Sequence, residues 1–295
     1  MAAQSAAQVS PAPPRSRRSN RHAVVETLRY ATLTVVALLW LVPFLWLIIT
    51  SLKPLPQVLT RPPVWIPHPI LWRNYVDALT SPTFRFGRLL LNSLFYSVVS
   101  TVGIVISCTL VAYGFARMRF WGRDFWFLVM LATMMLPGVV TMIPTYVLFR
   151  VIGWVGGYAP LIVPSFFGYP FYIFLLRQFF LNLPWELTES AKVDGAGDLR
   201  IFLSIMLPLI RSALMVTVVF NFLGCWNDFM GPLIYLSDNS KFPLSLGLYA
   251  FQTKYYASWN LMMAASLVVT IPMMILFFAA QRQFIEGITI TGLKG

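Results

Sequence analysis

Read as a pattern of apolar and polar positions, the chain falls into six long stretches almost free of charge, joined by polar connectors. They run from Tyr30 to Leu52, Leu89 to Phe115, Phe125 to Phe149, Pro160 to Leu176, Leu214 to Leu236 and Leu261 to Ala280. The hydrocarbon core of a bilayer is about 30 Å thick and takes roughly 20 apolar residues of helix to cross. A segment in hydrocarbon must also satisfy its own backbone groups, and an α-helix does so within the segment. The pattern therefore predicts an all-α fold, a polytopic transmembrane bundle of six spans over residues 26–285, with the fourth span the shortest.

Composition supports that reading. Of 295 residues, 58% are hydrophobic and 11% charged, against about 25% charged in an ordinary globular chain. So little polar surface cannot cover a water-soluble particle. A formal charge of +12 would suit a nucleic-acid binder, but many of the basic residues flank the apolar runs. They act first as topology signals, and no nucleic-acid partner is expected. On alternate sides of the spans, 14 of the 22 Lys and Arg fall with the N-terminus and 8 on the other side. Both termini are expected in the cytoplasm, in the cell (plasma or inner) membrane. Residues 1–25 have the Ala, Ser, Pro and Arg content of a disordered basic cytoplasmic tail, and residues 286–295 form a second cytoplasmic tail. The first apolar run is too long for a signal peptide and leads into Ser51-Leu52-Lys53-Pro54 with no small-residue cleavage site, so it is expected to stay as an anchor.

Little in the chain points to catalysis. There is no phosphate-binding G-x-x-x-x-G-K-[ST] loop, no G-x-S-x-G elbow and no H-E-x-x-H pair. The two histidines, His22 and His68, lie in connectors, and Cys108 and Cys225 sit apart inside apolar runs. No metal or catalytic constellation can be assembled from that supply. Pro43, Pro137, Pro144, Pro164, Pro170 and Pro272 interrupt the runs, which points to a deformable bundle whose helices line a pathway or pack with kinks.

The connector 183–212 is unusually long. Its opening, Pro184-Trp185-Glu186-Leu187-Thr188-Glu189, places a proline and acids where a helix starts, and Gly195 is a natural stop. Gly197 and Asp198 can begin a second helix toward Pro208. The stretch reads Glu189-Ser190-Ala191-x-x-x-Gly195, nine residues, then Ile205-x-Leu207-Pro208. It resembles the EAA loop of ATP-binding cassette (ABC) importer permeases, with Ser190 in place of an alanine. Small Ser190, Ala191, Gly195, Ala196 and Gly197 let a helical elbow enter a protein groove, while Glu189 and Asp194 supply charged hydrogen-bonding groups. The alternative is an amphipathic segment resting on the bilayer.

The resemblance extends to carbohydrate-uptake permeases of the maltose and trehalose type, in particular the second permease subunit. Ser51-Leu52-Lys53-Pro54 with Asn74-Tyr75, Asn92-Ser93-Leu94, Tyr113-Gly114-Phe115-Ala116-Arg117, Trp226-Asn227-Asp228-Phe229 with Gly231-Pro232-Leu233, and Gln281-Arg282 through Gly292-Leu293-Lys294-Gly295 look like landmarks of that group. It implies a type I importer permease that itself binds no cofactor. Its partners would be a second homologous permease, a dimer of ATPases that bind ATP and Mg, and an extracytoplasmic sugar-binding protein. The substrate would be a sugar, a di- or oligosaccharide. Polar groups in an apolar span cost free energy against lipid and so turn inward, which makes Asn221, Trp226, Asn227 and Asp228 candidates to line the sugar pathway. Interhelical bonding needs the same residues, and is the preferred reading for Asn221. The alternative class is an ion-gradient-driven secondary transporter, for which Asp228 is the one deep ionisable group.

Overall fold

The computed structural model describes residues 18–82, 84–249, 251 and 258–292, with side chains from residue 24 to 281. The expected tail before Arg18 and the final Leu293-Lys294-Gly295 lie outside the described residues. Among those described, the secondary structure is helical throughout. In order it comprises α1 (Arg18–Ser51), α2 (Arg73–Thr80), α3 (Phe86–Arg117), α4 (Arg123–Thr133), α5 (Gly138–Val151), α6 (Ala159–Ile162), α7 (Pro170–Asn182), α8 (Glu186–Val193), α9 (Asp198–Ile201), α10 (Leu207–Leu209), α11 (Arg211–Asn227), α12 (Met230–Tyr235), α13 (Leu244–Tyr249) and α14 (Trp259–Gly292). Helix α1 begins twelve residues before the apolar run at Tyr30, and α14 continues past Ile285 into the stretch read as a tail.

Four helical segments are long and apolar enough to cross a bilayer unbroken: Val24–Ser51, Phe86–Arg117, Ala159–Asn182 and Trp259–Gln281. Two more spans exist if each of two bent pairs counts as one, namely α4 with α5, bent by 97°, and Asp198–Leu209 with α11, bent by 78°. Both bends have a local cause. Pro137 caps α5 with extended backbone and no amide to continue α4, and Pro208 removes a donor just before the turn at Ile210. Pro43, Pro144 and Pro272 lie inside continuous helices. Pro164 and Pro170, by contrast, open new segments, a 3-10 turn and α7 respectively.

Helix α3 is the axis of the molecule. It packs along α7, α11 and the 3-10 turn Val163–Phe167, whereas α1 packs chiefly on α14. The face of α3 toward its neighbours is made of small and polar residues, including Ser93, Ser97, Ser100, Ser107, Cys108 and Ala112, all buried. Small side chains let helices approach closely where no hydrophobic force separates protein from lipid. Gly103 illustrates the fit, because a Cβ there would stand 2.9 Å from the Phe166 ring. Two apolar clusters result. One gathers Tyr113, Ala116, Leu176, Phe180, Phe202 and Met206 near the end of α3. The other gathers Phe84, Leu89, Trp226, Leu244, Ala264 and Ala265 near its beginning.

Candidate functional site: the elbow and the polar break in α11

The elbow is built by α8 and α9. Gly195 has φ +78°, and the Gly195 and Ala196 amides donate back to the carbonyls of Lys192 and Ala191 at 3.0 and 2.9 Å. That pair of bonds is a Schellman stop, which requires a left-handed residue after the helix and so favours glycine. Gly197 then takes an extended conformation and caps α9. The return arm does not run as one regular helix. It passes through a π-helical turn, Phe202–Met206, before α10. The inner face of the elbow is buried on α3 and α7 through Ala191, Ile201, Phe202 and Met206.

The outer face is open. Val193 is 88% exposed and Leu199 67%, and nothing lies within 4 Å of a Cβ placed on Gly195 or Gly197. Glu189, Ser190, Asp194, Gly195 and Gly197 are exposed, Ala196 is half-buried and Ala191 is buried. Ser190 Oγ donates to the Leu187 carbonyl at 3.4 Å, and an exposed ion pair, Lys192 to Asp198 at 3.1 Å, spans the turn. Glu189 has no ion-pair partner among the described residues. The elbow thus presents a small-residue tip with apolar shoulders and free acidic groups.

The four polar candidates of α11 separate into different roles. Asn221 Nδ2 donates to Thr101 Oγ1 at 3.1 Å, a bond between α11 and α3. Trp226 is 2% exposed, stacks on Phe222 and donates its indole N–H to the Val269 carbonyl at 3.2 Å. Asp228 ends α11: one carboxylate oxygen accepts from Tyr96 Oη at 2.8 Å and the other from the Gly231 amide at 3.0 Å. Its carbonyl accepts from Ser245 Oγ. Asn227 alone is exposed, with its amide nitrogen donating to the Leu223 carbonyl at 2.9 Å. All four are hydrogen-bonded within the chain, and Asn227, whose amide also meets Met273 Sδ at 3.5 Å, is the one whose side chain is exposed.

The landmarks at Ser51 to Lys53, Asn74-Tyr75 and Asn92-Ser93 are latches between distant segments, and the side chains from Arg282 onward lie outside the described residues. Asn74 Nδ2 donates to the carbonyls of Ser51 and Lys53, and Asn260 Nδ2 donates to Asn74 Oδ1 at 3.2 Å. Tyr75 Oη shares a hydrogen bond with Ser51 Oγ. Asn92 Nδ2 donates to the carbonyls of Ser240 and Phe242, and Ser93 Oγ accepts from the Leu244 amide. Tyr96 is a member of the site that the sequence did not single out, and Tyr113 and Arg117 stand in a landmark stretch that assigned them no role. Their signal was a polar or charged group in or at the end of an apolar run, which cannot name its partner.

Comparison with known proteins agrees with this architecture. Residues 103–289, more than half of the chain, match the family of the binding-protein-dependent transport system inner membrane component. The chain belongs to that family. It is a permease subunit of an ABC importer, a transport component and not an enzyme, embedded in the membrane by several spans. It is 32% identical to the arabinooligosaccharides transport system permease protein AraQ of Halalkalibacterium halodurans, over 91% of this chain and 95% of that one. It is 31% identical to the trehalose/maltose transport system permease protein MalG of Thermococcus litoralis, over 88% and 94%. Its fold is shared with a chain in the crystal structure of a bacterial ABC transporter involved in import of the acidic polysaccharide alginate. There the TM-score is 0.75 and the identity 24%, covering 92% of this chain and 99% of that one. The ion-gradient carrier finds no support beside these matches, and both oxygens of Asp228 are already engaged by the fold.

Proposed function

We propose that this permease moves a di- or oligosaccharide inward, with both termini in the cytoplasm and the elbow docked in a separate ATPase. A second homologous permease completes the pathway, an extracytoplasmic binding protein delivers the sugar, and a dimer of ATPase subunits binds ATP and Mg. The sugar assignment draws on relatives named for arabinooligosaccharides and for trehalose and maltose. The observation that carries the coupling role is the elbow itself, whose inner face is packed into the bundle while its tip holds exposed Val193 and Leu199 around an open glycine. An apolar, small-residue projection at the end of a membrane bundle fits a groove in another protein better than it fits water. Energetically, the ATPase can drive transport only by binding two permease conformations with different affinity, because equal binding shifts nothing. Asn227 is the residue of α11 best disposed toward the sugar path.

The test is reconstitution of the four-component complex in vesicles. ATP hydrolysis and uptake are measured with binding protein loaded from a panel of oligosaccharides, monosaccharides and polyols. Stimulation by an oligosaccharide and accumulation of that sugar are expected. Sugar uptake by the permease alone, driven by an ion gradient without ATP, would sink the proposal.

A further inference from the structure

Arg117 is the last residue of α3, 6% exposed, in an end of the bundle where Arg177 of α7 also donates to the Phe115 carbonyl at 3.4 Å. Its guanidinium reaches the C-terminal end of α7, 63 and more residues later in the chain. Nε and one terminal nitrogen donate to the Phe180 carbonyl at 3.1 and 2.6 Å, and that terminal nitrogen also donates to the Leu183 carbonyl at 2.6 Å. The other terminal nitrogen lies 3.5 Å from the Pro184 carbonyl. The same group sits 4.9 Å from the ring of Trp185, the residue immediately before α8. No carboxylate is paired with it among the described residues. Its charge is met by carbonyls at and just beyond the end of α7, that of Phe180 accepting from the Leu183 amide as well, where a cation is favourable.

One turn earlier on α3, Tyr113 grips the return arm. Its ring lies 5.0 Å from Phe202 and 5.6 Å from Phe180. Both arms of the elbow are therefore fastened to the same two turns of α3. From there α3 continues as one helix to Tyr96, roughly 30 Å away at 1.5 Å per residue, where the phenol holds Asp228 at the break in α11. A planar guanidinium can span several carbonyls at once, whereas an ammonium directs its donors from a single point.

We infer that Arg117 is a positioning residue for transport: it clamps the entry arm of the elbow to α3, so that displacement of the elbow moves α3 and, through Tyr96, the polar break of α11. The inference rests on the coupling role proposed above. It goes beyond that role by naming the residue and the helix that carry the motion from the docking surface toward the sugar path.

The experiment uses the complete complex, with Arg117→Gln, Arg117→Lys and, as a separate control, Gly195→Val. Copurification of the ATPase reports docking. The ratio of binding-protein-stimulated to basal ATP hydrolysis, and the sugar moved per ATP, report coupling. Arg117→Gln should assemble and retain the ATPase yet lose about fivefold or more of the stimulation ratio, the scale of an ordinary coupling energy, with Arg117→Lys intermediate. A wild-type ratio in an assembled Arg117→Gln complex overturns the inference. So does failure of both Arg117 variants to assemble, since the residue then serves folding alone. A Gly195→Val complex that transports at the wild-type rate overturns the underlying coupling role instead, which separates the two failures.

Discussion

The two ends of α3 are held in opposite ways. At the elbow, a cluster of aromatic and aliphatic side chains is fastened by two guanidinium groups, Arg117, whose donors converge on the carbonyls that close α7, and Arg177, which donates to the Phe115 carbonyl. At the far end, Trp226 and its apolar neighbours are surrounded by several polar latches that join different segments: the amides of Asn74, Asn92 and Asn260, the hydroxyl of Ser93 and the carboxylate of Asp228. A connection concentrated in few groups transmits displacement and weakens sharply when one of them is lost. A connection distributed over many weak bonds keeps its shape when any one of them breaks. The elbow end is thus held by few charged groups, and the far end by many neutral ones that keep a set of short helices in place.

The largest effect should come from Trp226→Ala. Removing a fully buried indole costs about 3 to 5 kcal/mol in a core, so thermal unfolding of the purified complex should shift downward by many degrees while any assembled fraction keeps its coupling ratio. An unchanged unfolding temperature would show that the far-end cluster does not carry stability. Next, at the elbow, Gly195→Val forces a β-branched residue to φ +78° with no internal clash to blame. Membrane insertion and pairing with the second permease should persist while uptake falls tenfold or more. Glu189→Ala should be milder, since it removes one exposed carboxylate without straining the turn. Normal uptake by Gly195→Val would erase the contrast between the two ends.

A smaller difference separates adjacent residues. Asp228→Asn keeps the shape but weakens two bonds to a carboxylate, at about 1 to 3 kcal/mol, and should lower thermal stability without changing which sugar is taken up. Asn227→Ala should do the reverse, altering sugar preference at unchanged stability. Uptake competition between sugars checks both, and a selectivity change confined to Asp228→Asn would exchange their roles. The smallest effect concerns the connector after α12. The hydroxyl and amide of Ser240 donate to Asp238 and hold its carboxyl below the ordinary value, which is about 3.9 for an aspartate. A depressed pKa stabilises the folded connector above the ordinary value, and that contribution is lost as pH falls through the lowered one. The protection factor of the Ser240 amide, its hydrogen-exchange rate corrected for the intrinsic pH dependence, should fall over that acidic window and be indifferent to pH above it.

The apolar runs alone determined an all-helical membrane bundle, because the bilayer admits few other ways to satisfy a backbone, and the count of up to six spans follows from them. The elbow was equally legible: a proline and acids at its start, Gly195 at its stop and Gly197 before Asp198 are local rules of helix ends, and α8 and α9 obey them. Tertiary structure decided the rest. The run from Phe125 to Phe149 reads as one span, yet the proline at position 137 turns it by 97°. Asp228 reads equally well as a sugar contact or a packing group, and only the fold brings Tyr96, 132 residues earlier, to donate to it. Arg117 closes a landmark stretch with no role legible in it until its guanidinium is found on the carbonyls at the end of α7. Periodicity and capping depend on neighbours within a turn or two, so they survive in one dimension. A polar bond across the bundle depends on which helices pack together and at what height, and only the folded chain sets that.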